Sequence, residues 1–366
     1  MLASGDLWAG AEVMVYQLAS GFVTMPEIKL CVVLLNDERL AKELRKLGIE
    51  VHVIAESQNS FLSIARILNE LVAIYSPDII HSHRYKENVL ALLTKKVNRR
   101  IRLISTQHGM PELAGKDQGI SARLRAWLFF RLLSSFFDRT VLVSEEMSRS
   151  LVGSFGFSSE NVNVIHNGIN LPDKCTQQSN KIITQKRITV GSAGRFSPVK
   201  DFSLLVESAK MVIAQNHMVD FVLAGDGPER LMLEEKVRDA GIQDHFIFLG
   251  HQNDMDAFYN KIDIYINTSV HEGIPMSVLE AMSHQLPVIV PKVGGFVEIV
   301  EDGVHGYLVD NRNPLMFADR CIELLSDKKK RRRMAEAARQ RVMDNFSRET
   351  MANQYYQLYQ QLLNST

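Results

Sequence analysis

The sequence predicts an α/β protein made of two domains in series, each built on a parallel sheet. Three observations carry this. Short β-branched runs alternate with helix-like stretches along the whole chain. Most of the runs are continuously apolar, as parallel strands buried on both faces are. The alternation stops once, at a polar stretch near the middle, and then restarts.

In order, IKLCVVLL (28–35), VHVI (51–54), DIIHS (78–82), IRLIST (101–106), TVLVS (140–144) and VNVI (162–165) read as strands. Between them, Phe61, Ile64, Ala65, Leu68 and Leu71 show the i, i+3, i+4, i+7 spacing of an amphipathic helix. Strands alternating with helices imply right-handed crossovers. LPDKCTQQSNKIITQK (171–186) is polar, contains a proline and lacks apolar periodicity, which marks a linker. RITVGSA (187–193), VDFVLAG (219–225), HFIFLG (245–250), DIYINTS (263–269), PVIV (287–290) and GYLV (306–309) then repeat the pattern. The expected domains are 1–175 and 183–346. A last helix over 347–366, capped by Ser347, carries the stripe Met351, Tyr355, Leu358, Tyr359, Leu362. Burying that stripe would bring the helix back to the first domain.

Composition narrows the function. The 42 basic and 42 acidic residues cancel, so no global charge draws the chain to nucleic acid. Cys31, Cys175 and Cys321 lie far apart and form no CxxC, which argues against a structural zinc or disulfide framework and fits a reducing compartment. No apolar run reaches the ~18 residues of a membrane span, and the N-terminus lacks the plan of a signal peptide. A cytoplasmic protein is expected, with peripheral contact at the inner membrane face left open.

Ligands of such domains bind beyond the carboxyl ends of the strands, so motifs just after strands matter most. GSAGRFSPVKDF (191–202) places Arg195 and Lys200 on one loop, a planar fork and a mobile point charge suited to a diphosphate. The bland alternative is a solvated loop with two surface cations. AGDGPER (224–230) superficially suggests a dinucleotide fingerprint, but Arg230 stands where the third glycine belongs, which argues against a nicotinamide dehydrogenase. HEGIPMSVLEAM (271–282) sets Glu272 on a loop and Glu280 in a helix beginning near Met276. A helix N-terminus is an anion site, and a carboxylate accepts hydrogen bonds from vicinal hydroxyls. Together these features describe a nucleotide-sugar site, whereas an isolated glutamate pair would read as surface carboxylates.

The arrangement resembles the retaining glycosyltransferases of family 4, which have the GT-B fold of two Rossmann-like domains facing a cleft. The E-x7-E element Glu272…Glu280 lies in a closely similar context, HEGIPMSVLEAMSHQLPVIVPKVGGFVEIVEDGVHGYLV (271–309). GRFSPVKDF, AGDGPE, NGIN (167–170), TQHG (106–109) and GAEVMVYQLA (10–19) resemble further family segments, so the likeness runs over nearly the whole chain. It implies a hexosyltransferase that moves a sugar from a nucleotide diphosphate-sugar to a hydroxyl of a glycan or lipid-linked acceptor, with retention, in cell-surface polysaccharide or glycolipid biosynthesis. Glu280 would hold the ribose hydroxyls and Glu272 hydroxyls of the transferred sugar. Arg195 and Lys200 would neutralise the departing diphosphate, aided by backbone around Gly273, Ile274, Pro275, Met276 and Ser277. His108 would sit beside the transferred sugar, and Gly10 would admit the donor phosphate or the acceptor. No metal or other cofactor is expected, and no nucleic-acid partner. The family's glycine loop usually reads Gly-Gly-x-Glu; here it is Ala9-Gly10-Ala11-Glu12. MLASGDLW (1–8) barely holds the central strand the fold expects, so either the strand is a stub or the natural chain begins upstream.

Other features weigh less. Asp254-Met255-Asp256 looks like a DxD metal motif but reads better as a helix cap. The basic run Lys328–Arg333 reads as a solvated helix face, with anionic lipid as the alternative. RLRAWLFFRLLSSFF (123–137) reads as a helix packed on the sheet, or else lying in a membrane interface. His81 and His83 lack further ligands for a metal pair and read as a wall facing the acceptor. His305 reads as a loop residue. A GT-B-fold sugar-nucleotide epimerase and a non-catalytic nucleotide-sugar-binding subunit are the competing functions.

Overall fold

The computed structural model describes residues 1–6, 8, 10–109, 120–155, 157–172, 187–216, 218–310 and 312–365. The linker expected over 171–186 lies outside them apart from Leu171 and Pro172, as do Ala9, Cys175 and the expected boundaries at 175 and 183. The chain divides into two units, Met1–Asn170 with Ser347–Thr366, and Leu171–Phe346.

The first unit holds seven strands: β1 (Leu2–Ala3), β2 (Cys31–Leu34), β3 (Glu50–Val53), β4 (Ile79–Ser82), β5 (Arg102–Gln107), β6 (Arg139–Leu142) and β7 (Val162–Val164). They form one parallel sheet in the order β3-β2-β1-β4-β5-β6-β7. The central strand is a two-residue stub. Leu2 and Ala3 are nonetheless buried between β2 and β4, with Leu2 opposite Val33 and Ser82. Helices α1 (Gly10–Val23), α2 (Arg39–Lys46), α3 (Phe61–Tyr75), α4 (Tyr85–Val97), α5 (Ile120–Phe136) and α6 (Glu145–Phe155) are the crossovers.

The second unit holds β8 (Ile188–Ala193), β9 (Val219–Ala224), β10 (Phe246–Gly250), β11 (Ile264–Ile266), β12 (Val288–Pro291) and β13 (Gly306–Val309), again all parallel, in the order β10-β9-β8-β11-β12-β13. Its helices are α7 (Phe202–Gln215), α8 (Arg230–Asp239), α9 (Met255–Tyr259), α10 (Met276–Ser283), α11 (Phe296–Ile299), α12 (Pro314–Ser326) and α13 (Lys328–Asn345). Strand residues such as Val190, Phe221, Leu223, Ile264 and Ile289 share its core with Leu205, Val212, Phe317 and Leu324 from the helices. Burying an aliphatic or aromatic side chain of this kind stabilises by roughly 1.5–3 kcal/mol, which explains why the inner strands β11 and β12 are apolar without alternation; in the edge strand β10, Ile247 and Leu249 are exposed.

The last helix, α14 (Arg348–Asn364), belongs to the first unit. Ser347 caps it, its Oγ accepting from Thr350 N at 3.1 Å. Ile169 and Ser347 form a parallel bridge there, and Arg348 N donates to Ile169 O at 2.7 Å. Met351, Tyr355, Leu358 and Leu362 are buried against Met14, Leu18 and Phe22 of α1.

The stretch 123–137 divides its faces. Phe129, Phe130, Leu133 and Phe137 are buried, while Trp127, Leu128 and Phe136 are exposed. The basic run opens α13 behind an Asp327 cap. Lys330 pairs with Glu323, Arg331 donates to Leu324 O at 2.6 Å and Arg332 pairs with Glu336 at 2.9 Å, whereas Lys328, Lys329 and Arg333 stay exposed.

Candidate functional site

In a doubly wound sheet, ligands collect where the strand order reverses. In the second unit that point lies between β8 and β11. The loop after β8 carries Arg195 and Lys200; the loop after β11 carries Glu272. Across the reversal, Lys200 Nζ pairs with Glu272 Oε1. Ser269 Oγ donates to the same oxygen at 2.8 Å, and Thr268 Oγ1 donates to Lys200 O at 3.0 Å. Arg195 is exposed, with no side-chain ion pair among the described residues.

The loops hold this geometry through glycines. Gly294 has φ +56°, and a Cβ on it would overlap Glu272 O; a Cβ on Gly295 would overlap Gly273 O and come within 2.9 Å of Ile274 Cδ1. Gly295 N donates to Glu272 O at 3.0 Å. The loop at 293–296 is thus moulded onto the loop bearing Glu272. In AGDGPE, a Cβ on Gly225 or Gly227 would overlap Gly194 or Phe196 backbone. Gly194 N donates to Ala224 O at 3.0 Å and Phe196 N to Asp226 O at 2.9 Å. These glycines seat the Arg195–Lys200 loop, a use quite different from a dinucleotide fingerprint.

Helix α10 starts where a carboxylate-bearing loop ends. Pro275 sits at its N-cap with no N–H to satisfy, and Ile274, Pro275 and Met276 are buried. The Met276 and Ser277 N–H groups make no hydrogen bond among the described residues, leaving donors for an anion. Glu280 follows about one turn later. Tyr259 Oη donates to Glu280 Oε2 at 2.8 Å. Burial pushes the Glu280 carboxyl up to about 7; the Tyr259 hydrogen bond opposes this and the charge of Asp256 adds to it. Asp254 caps α9, accepting from Ala257 N at 2.9 Å, and Asp256 lies 3.1 Å from His284 Nε2. The apparent DxD is therefore a cap and its neighbour.

In the first unit the order reverses between β1 and β4. His81 and His83 lie at the end of β4, and His108 follows β5. His83 Nδ1 and His108 Nε2 are 3.2 Å apart, with their rings stacked. His81 contacts Tyr359 Oη and Thr106 Oγ1, both at 2.7 Å. Burial drives all three imidazoles down, His108 to about 3, so they are neutral. His83 Nε2 and His108 Nδ1 have no partner among the described residues. Gly10 opens α1, and a Cβ there would meet nothing within 4 Å, so the space above it is open. His305 lies in a turn, its Nδ1 accepting from Glu301 N at 3.1 Å.

Sequence reasoning missed several neighbours. Arg84 pairs with buried Glu12 at 2.6 Å and with Asp6 at 3.0 Å, tying the β4 end to the start of α1. Burial raises the Glu12 carboxyl to about 7 against the Arg84 charge. Tyr259 and Ser269 hold the two glutamates. Ser269 lies three residues before Glu272, a spacing that could have suggested it. The others are far apart in sequence.

Two family models match consecutive stretches of the chain. Glycosyltransferase Family 4 covers residues 8–172, and Glycosyl transferases group 1 covers 173–341. N-acetyl-alpha-D-glucosaminyl L-malate synthase of Bacillus anthracis is 27% identical over 311 residues, 82% of this chain and 79% of the relative. The O-antigen biosynthesis glycosyltransferase WclY of Escherichia coli is 24% identical over 347 residues, 90% of this chain and 94% of the relative. Among solved structures, Anabaena HepE in complex with UDP superposes with a TM-score of 0.83 at 21% identity, covering 98% of each chain. That likeness is one of fold, and it matches the two parallel-sheet units to the GT-B architecture. With both halves of the family matched in order over residues 8–341, the chain belongs to the family 4 glycosyltransferases of the group 1 type.

Proposed function

We propose that this enzyme moves a hexose from a nucleotide diphosphate-sugar to a hydroxyl of a glycan or lipid-linked acceptor, with retention of anomeric configuration. The observation that carries the reading is the meeting of Lys200 with Glu272 at the strand reversal, beside the open N-terminus of α10. Glycosyl–phosphate cleavage builds negative charge on the departing diphosphate. Lys200 and the Met276 and Ser277 N–H groups are preorganised donors for that charge, and the exposed Arg195 adds a second cation on the same loop. Glu272 binds hydroxyls of the transferred sugar through its free lone pairs, and Glu280 takes the ribose hydroxyls. Within the first unit, neutral His108 keeps an unpartnered Nδ1 near the strand reversal, and Gly10 leaves open space at the start of α1. With two protein cations in that role, we expect turnover to persist in excess chelator.

Relatives support a role in cell-surface polysaccharide or glycolipid synthesis. One is the UDP-Gal:alpha-D-GlcNAc-diphosphoundecaprenol alpha-1,3-galactosyltransferase of Escherichia coli, 25% identical over 286 residues. No helix among the described residues is long and apolar enough to cross a membrane. For a lipid-linked acceptor we propose a cytoplasmic enzyme touching the inner membrane face through Trp127, Leu128 and Phe136. Failure to co-float with anionic liposomes would remove that contact.

The direct test is a thermal-shift panel of UDP-, GDP-, ADP- and CMP-sugars on wild type and Glu280→Ala. A ligand at 100 times its Kd stabilises by about 2.7 kcal/mol. One nucleotide class should shift wild type and shift the variant by clearly less. No shift of folded wild type by any of them would refute the reading.

Binding should also depend on pH. Ribose hydroxyls donate to the ionised Glu280 carboxylate, whose pKa stands at about 7 in the free protein. Between pH 8 and pH 6 the donor Kd should therefore rise about tenfold. Calorimetry with an intact nucleotide-sugar measures it, and Glu280→Gln should flatten the profile. In the unliganded protein the sign is the opposite. The raised pKa stabilises the fold fully below the ordinary 4.5, and this contribution fades as pH rises through about 7.

A further inference from the structure

Glu280 does not orient itself. Tyr259 is 1% exposed at the end of α9, and its ring lies between those of Phe258, Tyr265 and His284, with centroids 5.1 to 5.9 Å away. Its hydroxyl lies 2.8 Å from Glu280 Oε2 and 3.2 Å from Ser277 O. Both partners are acceptors, so the phenol is the donor. One immobile hydroxyl thereby ties the first turn of α10 and its glutamate to a neighbouring helix. Glu280 Oε1 makes no hydrogen bond among the described residues, and the residue as a whole is only partly exposed. A flexible glutamate left alone would lose its orientation to rotamer freedom.

We propose that Tyr259 is a positioning residue for nucleotide recognition, holding Oε2 so that the Glu280 carboxylate meets both hydroxyls of a nucleoside diphosphate's ribose. The proposal rests on the nucleotide-binding reading of Glu280 given above. Tyr259 touches no ligand itself. It acts by fixing the carboxylate plane, so its contribution appears only when the ligand carries the hydroxyls that Glu280 reads. This differs from a packing role, which would affect every nucleotide alike.

The test measures Kd by calorimetry at pH 8 for UDP, GDP and ADP, each beside its 2′,3′-dideoxy analogue. The proteins are wild type, Tyr259→Phe and Tyr265→Phe. The hydroxyl of Tyr265 reaches Ala193 O at 3.3 Å, so Tyr265→Phe removes a buried phenol from the same cluster while leaving the Tyr259 bond in place. Wild type and Tyr265→Phe should prefer one ribonucleotide over its dideoxy form by about tenfold or more, the worth of a charge-assisted hydrogen bond. Tyr259→Phe should bring that ratio to within about threefold while leaving the dideoxy Kd unchanged, which also shows that the variant is folded. If Tyr259→Phe weakens both forms together and keeps the ratio, the positioning role is overturned and the residue only packs. If wild type itself makes no distinction, or binds none of the three, Glu280 is not a ribose ligand and the underlying reading falls with it.

Discussion

Lys200→Ala is expected to lower kcat by about 10²–10³-fold, the usual cost of removing one preorganised donor from a site of developing negative charge. The ammonium is held by Glu272 at the point where two strand-end loops converge. Its removal takes away a cation and leaves the Glu272 carboxylate facing the donor diphosphate unneutralised. Both changes act on the departing charge, so kcat and kcat/KM should fall together. Stability should fall as well, because Lys200 and Glu272 are each only about a fifth exposed and the carboxylate left behind keeps only the Ser269 hydrogen bond, so turnover is compared per folded protein. Arg195→Ala should also slow turnover, with no stability effect, since that side chain is exposed. Turnover of the nucleotide-sugar that shifts the melting curve is the measurement. A Lys200→Ala enzyme within threefold of wild type would remove the leaving-group role.

Gly295→Ala should destabilise the second unit by ~1–3 kcal/mol, the cost of forcing extra volume into a packed site. The melting midpoint would fall by several degrees, on the order of 5 °C. The new Cβ would overlap Gly273 O, so either the loop at 293–296 or the loop bearing Glu272 must move. Binding should weaken as well, because the displaced loop leads into the N-terminus of α10. Gly10→Ala is the contrasting change, since open space surrounds that position. Unchanged melting and unchanged donor affinity for Gly295→Ala would mean that the loops yield freely and do not fix Glu272.

Much of this was legible in the sequence, for identifiable reasons. The parallel strands announced themselves because residues such as Ile264, Tyr265 and Ile266 are buried on both faces and must all be apolar or ring-bearing. Ser347 and the α14 stripe were legible because cap and period are local signals. The pairing of Lys200 with Glu272 was not, although both residues were singled out. Their contact spans 72 positions and depends on strand order, which no local pattern encodes. Tyr259 escaped because a tyrosine ending a short helix looks like core, and its hydroxyl's partner lies 21 residues away. Glu12 and Arg84 meet across the reversal between β1 and β4, again a property of topology.

The return of α14 to the first unit has a consequence for synthesis on the ribosome. Residues 171–346 form a contiguous unit, whereas the first unit is completed by residues emerging after all of them. Until then Met14, Leu18 and Phe22 lack the cover that Met351, Tyr355 and Leu358 provide. Domains on a growing chain generally mature from the N-terminus onward. Here the earliest-made sheet is the one that must wait, exposing an apolar seam for as long as the second half takes to be translated. Chaperone occupancy during translation should therefore concentrate on α1, and a stalled chain ending before Ser347 should present a finished second unit beside an unfinished first.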